Sequence, residues 1–164
     1  MINGKVLHAS HDGIHVLRFV GDIRYTLSPS IDRFVKQLFS GPPPAGFVID
    51  LTETDSIDST NLGLLARIAN LMKNQNGSRV TILSDRTDIN AVLISMAFDE
   101  VFDIVSQASF ACGAEKELAR QDTDKETLTR TVLEAHRALM DLSEHNEEMF
   151  REVVTALEKN MAEE

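Results

Sequence analysis

Each thing this 164-residue chain has little of removes a class of function. It has a single cysteine, Cys112. One thiol cannot close an intramolecular disulfide, and without a Cys-x-x-Cys partner it reads as a small apolar core residue. No apolar run approaches the ~18 residues of a membrane span. Met1-Ile2-Asn3-Gly4-Lys5 is not followed by the apolar segment and cleavage site of a signal peptide. A soluble, cytoplasmic protein is therefore expected. Basic residues are scarce, with 16 Lys and Arg against 26 Asp and Glu and a formal net charge of -10. That balance argues against binding nucleic acid, which needs clustered Lys and Arg, and against an anionic membrane surface. It is compatible with basic partners.

Recognised catalytic motifs are also missing. There is no phosphate-binding glycine loop, no dinucleotide fingerprint and no Gly-x-Ser-x-Gly elbow. His8, His11, His15, His136 and His145 lack metal-ligand spacing. Gly41-Pro42-Pro43-Pro44 reads as a linker. No metal and no cofactor is expected, and no catalytic residue stands out.

What is present is enough for a core, with 43% hydrophobic residues. Val6 to Ala9 and Ile14 to Val20 read as strands joined by a His11-Asp12-Gly13 turn. Ser28-Pro29 reads as a helix start, serine as N-cap and proline at the first position, with Ile31, Phe34, Val35 and Leu38 on one face. Phe47 to Leu51 suits a buried central strand. A helix is expected from about Ser59 to Asn74, stopped by Asn76-Gly77. A strand at Val80 to Leu83, a helix at Asp88 to Ala97, a strand at Val101 to Val105 and a helix at Phe110 to Arg120 complete the pattern. Strands alternating with helices imply α/β layers with the later strands mostly parallel.

From Gln121 onward there is neither glycine nor proline. Thr123-Asp124-Lys125-Glu126 is a capping-box pattern. Apolar residues then recur every three or four positions from Leu128 to Met161, with Asn146 interrupting them. One long helix, or two bent near Glu144-His145-Asn146, is expected. Residues 121–164 carry 12 acidic and 5 basic side chains. Periodicity shows that one face is buried but not against what, so the tail either packs back on the domain or forms an oligomer seam or partner surface. The expected division is 1–115 for the α/β domain and 116–164 for an acidic helical extension.

The chemistry-bearing feature is the junction between the buried strand and the next helix. Val48-Ile49-Asp50-Leu51 is followed by Ile57-Asp58-Ser59-Thr60-Asn61-Leu62-Gly63. A hydroxyl beside a carboxylate at a helix mouth can cap the helix or accept a phosphate. Asp50, Asp55 and Asp58 also admit a less favoured reading as a Mg²⁺ cluster of a small phosphotransfer enzyme.

This junction, with Gly21-Asp22-Ile23, Asn76-Gly77-Ser78, Ala91-Val92-Leu93 and Phe102-Asp103-Ile104, resembles a STAS domain over about residues 2–112. The resemblance is to stand-alone bacterial anti-sigma factor antagonists. It implies a mixed, mostly parallel sheet with helices packed mainly on one face, plus a C-terminal helical extension foreign to the family. It also implies a non-enzymatic role. The serine after the aspartate, Ser59, would be phosphorylated by a serine kinase, often the anti-sigma factor itself, and restored by a serine phosphatase. Only the unphosphorylated form would bind the anti-sigma factor and free the sigma factor. By position Asp58 is the adjacent acid and Thr60 the next hydroxyl, with Ser56 a further hydroxyl nearby. The partner surface would comprise Asp58, Ser59, Thr60, Asn61, Leu64 and Arg67 on the exposed face of the helix. Asn61 replaces the usual glycine, where its tolerance of unusual backbone angles would help. Arg24 stands where an acid is common, which affects the choice of kinase. The alternative from another class is a structural or sensory subunit, a homo-oligomer assembled through its C-terminal helices.

Overall fold

A computed structural model describes residues 3–108 and 113–163. Its sheet starts from a hairpin of β1 (Lys5–His11) and β2 (Ile14–Ile23). The two-residue loop works because Asp12 and Gly13 both take positive φ (50° and 80°), the twist that a tight hairpin requires. A short 3-10 turn over Tyr25–Leu27 leads into α1 (Ser28–Phe39). Ser28 is not the N-cap. Leu27 holds that position, and the Ser28 hydroxyl donates to the Tyr25 carbonyl, because the preceding 3-10 turn has already begun the helical path.

The expected central strand is β3 (Gly46–Asp50). What read as a loop after it contains a further strand, β4 (Thr54–Ile57). Both lie parallel to β2, β3 along Ile14–Arg18 and β4 along Gly21–Ile23. The remaining elements are α2 (Ser59–Asn76), β5 (Val80–Leu83), α3 (Thr87–Ser95) and β6 (Phe102–Val105). With a two-residue strand β7 (Lys116–Glu117), the sheet order is β6-β5-β3-β2-β1-β7, with β4 off that path against β2. Among the described strands, only the pairings of β1 are antiparallel.

The helix expected over Phe110 to Arg120 is not formed in its described part. Lys116–Glu117 is instead β7, paired with β1 through Leu7 and His8. The open edge of β1 offers unsatisfied backbone groups, and the passing chain takes them. Cys112 and the start of that segment lie outside the described residues.

The tail forms two helices, α4 (Lys125–Met140) and α5 (Glu144–Ala162). Asp124, not Thr123, caps α4 by accepting from the Thr127 backbone N–H at 2.7 Å. The break falls at Asp141–Ser143, just before the expected bend, and Ser143 caps α5 through the Asn146 backbone N–H. Asn146, which interrupts the apolar repeat, is fully buried. Its side-chain amide donates to the carbonyls of Leu139 and Met96, tying α5 to the end of α4 and to the segment after α3.

The main core lies on one face of the sheet. It joins Leu17, Phe19 and Ile49 from the strands to Ile31 and Val35 of α1, and to Leu62, Leu65 and Met72 of α2. It then continues outward into Ala135, Leu139 and Phe150. The α4–α5 hairpin is thus a third layer on top of α1 and α2. The opposite face of the sheet carries a small cluster, Val16, Val48 and Leu83. Beside it Arg18 forms a two-pronged pair with Glu115 (2.9 and 2.7 Å). From Thr60 to Ala69 helix α2 is buried on nearly every side except at the half-buried Arg67, because α4 covers the face that the sheet does not.

Candidate functional site at the start of α2

The Thr54–Asp58 segment is held to β2. The Thr54 hydroxyl donates to the Phe19 carbonyl at 2.8 Å, and the Asp58 N–H to the Ile23 carbonyl at 3.1 Å. This fixes where α2 starts. Asp58 is extended (φ -84°, ψ 171°), and its Oδ1 accepts from the Asn61 backbone N–H at 3.0 Å. The carboxylate is therefore the N-cap. The same Oδ1 accepts from the Asn61 side-chain amide at 2.9 Å. Asn61 needs no unusual backbone: it sits in the first turn of α2, and its φ is not positive.

With capping done by Asp58, the Ser59 hydroxyl is free for something else. It lies 2.8 Å from Nε2 of His136 on α4. The His136 Nδ1 is 2.7 Å from the Val132 carbonyl. A carbonyl only accepts, so Nδ1 carries the proton, and in the neutral ring Nε2 accepts from Ser59. The edge of Phe150 from α5 stands against the imidazole, with centroids 5.3 Å apart. His136 itself is buried.

One helical turn on, Gly63 meets α4 backbone. A Cβ at that position would lie 2.1 Å from the Ala135 carbonyl oxygen, and the three nearest atoms all belong to Ala135. One turn further, Arg67 reaches Asp32 of α1 at 2.9 Å and Glu134 of α4 at 3.2 Å. Ser59, Gly63 and Arg67 form one stripe at i, i+4, i+8. All three touch α4.

The residues expected to form a partner surface are brought together here, but not on an open face. Thr60, Asn61 and Leu64 are buried. Ser59 and Arg67 are half-buried under α4. Of the competing hydroxyls, Thr60 is enclosed and Ser56 donates to Asp22. Asp22 also binds Arg24. The Ser56 hydroxyl, and then the Arg24 guanidinium, hold the Asp22 carboxyl below the usual carboxylate range.

The aspartates do not converge. Asp50 accepts from the backbone and hydroxyl of Thr52, Asp55 pairs with Arg86 and Asp58 caps α2. Among the described residues no group of three His, Cys, Asp or Glu side chains could hold a metal ion.

His136 is the site residue that sequence reasoning passed over. It lies 77 positions from Ser59, and nothing local links the two.

A family model described as "STAS domain" matches residues 6–111. Among solved structures the chain is similar to an anti-sigma factor antagonist from Mycobacterium paratuberculosis. The TM-score is 0.56 at 19% identity, covering 64% of this chain and 87% of that one. No curated protein matches the chain by sequence. The family match stops before α4, so the hairpin lies outside it. With nearly two-thirds of its length covered by that match, an apolar sheet that places Asp58 and Ser59 at the mouth of α2, and helices stacked on one face, the chain belongs to the STAS domain family.

Proposed function

We propose that this protein is an anti-sigma factor antagonist that works by binding, not catalysis, and that phosphorylation of Ser59 controls the binding. The observation that carries this is the division of labour at α2. Asp58 caps the helix, so the Ser59 hydroxyl is not spent on starting α2 and instead points to His136. A serine released from capping at a helix N-terminus is a site where phosphate oxygens meet free N–H groups and the positive end of the helix dipole. The domain can therefore carry the modification. A partner packed on the same turn cannot, since it would strip water from about two negative charges.

In this reading the partners are the anti-sigma factor, a serine kinase that is the same protein or a separate one, and a serine phosphatase. Such a protein acts where transcription does, in the cytoplasm. No helix among the described residues is long and apolar enough to cross a membrane. Ser59→Ala is expected to bind the anti-sigma factor irrespective of kinase. Ser59→Asp should bind at least about 10-fold more weakly, a loss of ~1.4 kcal/mol at one contact. Calorimetric titration of both variants checks this, and equal affinities sink the reading.

A second reading, a subunit assembled through its C-terminal helices, rests on Met149 and Val153. These lie four residues apart on α5, and both stay exposed. Sedimentation velocity on the full chain separates the two, since a monomer at micromolar concentration removes the assembly reading.

A further inference from the structure

The geometry points to the α4–α5 hairpin as an autoinhibitory latch, a segment of the chain that covers its own switch surface and must lift before Ser59 can be modified or α2 engaged. This rests on the Ser59 reading above and adds a third state to it.

Over the switch surface the latch is built from contacts that converge on the Ser59–Arg67 stripe, while Asn146 anchors α5 separately at the Met96 carbonyl. His136 accepts from Ser59, Ala135 sits backbone-close on Gly63, and Glu134 pairs with Arg67. These are three successive residues of α4 against three successive turns of α2. A kinase cannot seat an extended segment around Ser59 while α4 lies there. A phosphate on Oγ also removes the proton that Ser59 donates to Nε2 and puts a bulky, negatively charged group where α4 already sits at hydrogen-bond distance. Closure and phosphorylation therefore exclude one another. Closure and partner binding do so too, if the partner uses the same stripe. A displacing partner has to replace what α4 supplies: an acceptor for Ser59, a carboxylate for Arg67 and a small residue over Gly63.

The hairpin is suited to leaving. It lies beyond the family match, is joined to β7 by the short linker Leu118–Asp124, and adds Ala135, Leu139 and Phe150 to the outer side of a core whose other members come from the sheet and inner helices. Its effect is a population tax. If the open form is about 1% of molecules, apparent affinity for the partner falls about 100-fold below the intrinsic value.

Two substitutions attack the contact from opposite sides in the full chain. Gly63→Ala places a Cβ against the Ala135 carbonyl while improving the helix propensity of α2. Ala135→Leu adds bulk from the hairpin side and leaves α2 untouched. Hydrogen exchange read by mass spectrometry compares each with the unaltered chain, with no partner present. In both variants, exchange over residues 125–162 should quicken at least about tenfold, while β3 and β5 change by less than about twofold. Loss of protection in hairpin and sheet together in Ala135→Leu overturns the latch, since the hairpin is then an inseparable part of the fold. Unchanged protection in both variants overturns it as well. Because no partner enters this measurement, its failure leaves the Ser59 switch standing. Equal binding of Ser59→Ala and Ser59→Asp defeats that switch without touching the latch.

Discussion

Asp58 and Ser59 look interchangeable as caps at the residue scale, and packing separates them. Asp58 is fixed by the hydrogen bond from its N–H to Ile23 and turns its carboxylate inward to the Asn61 N–H, while Ser59 faces α4. A second pair shows the same dependence on neighbours. His8 and His15 stack at 5.1 Å with Nε2 and Nδ1 2.9 Å apart, and Phe34 packs on His8. Burial pushes both imidazoles below their ordinary value, and for His8 the His15 charge adds to this. A histidine depressed in the fold contributes stability that is full above its unfolded value, ~6.5, and is lost as pH falls through the lower folded value. Urea unfolding should therefore show lower stability at about pH 5.5 than at about pH 7.5. His15→Gln should shrink that difference by removing one of the two buried titrating rings and, with it, the lesser effect of the His15 charge on His8.

Helix ends at the element scale were partly legible. Gly77 was expected to stop α2, and it does so in the left-handed conformation (φ 76°) that glycine adopts without strain. The caps of α1 and α4 each fall one residue from the expected place: at α1 the 3-10 turn before Ser28 has already begun the helical path, and at α4 the adjacent Thr123 and Asp124 offer equivalent acceptors until the backbone path chooses. The Asp124 cap has a consequence for pH. The Thr127 N–H, and then its hydroxyl, hold the Asp124 carboxyl below the usual range. A depressed carboxyl contributes stability present above its unfolded value and lost as pH falls through the folded one. Hairpin amides should lose protection on acidification below about pH 4 before sheet amides do. Asp124→Asn, an equally good cap without the titration, should flatten that early loss in hydrogen-exchange profiles.

Stability is layered at the scale of the whole molecule. Ile49 and Leu139 are both fully buried, one in the sheet and one in the hairpin. Ile49→Ala should lower global unfolding free energy by about 2–5 kcal/mol. Leu139→Ala removes a similar side chain, but under the latch proposal its cost is capped at the docking free energy of the hairpin. Denaturant curves followed separately by sheet and hairpin probes check this. Coincident, equally large shifts from both substitutions would contradict the layered picture.

The local patterns of the fold are legible in the sequence, though not the stacking of the tail on α2. The α/β alternation, the hairpin turn at Asp12-Gly13 and the stripe of the tail are local patterns, written in residues a few positions apart. Strand β4 was missed because Thr54–Ile57 has no apolar alternation and is a strand only by pairing with β2. Strand β7 was missed for a similar reason: Lys116–Glu117 is polar and exists to cover the edge of β1.

The sequence alone determined the family, the place of Asp58 and Ser59 at a helix mouth, and the existence of an amphipathic helical tail. Each depends on spacing along the chain. Only the tertiary structure decided what the tail's apolar face covers. An amphipathic helix specifies that it must be buried, not where, and the answer lay in a match of shapes far apart in sequence. A glycine at 63 and an alanine at 135 let two backbones approach, and a histidine at 136 reaches the Ser59 hydroxyl, which capping by Asp58 had left free.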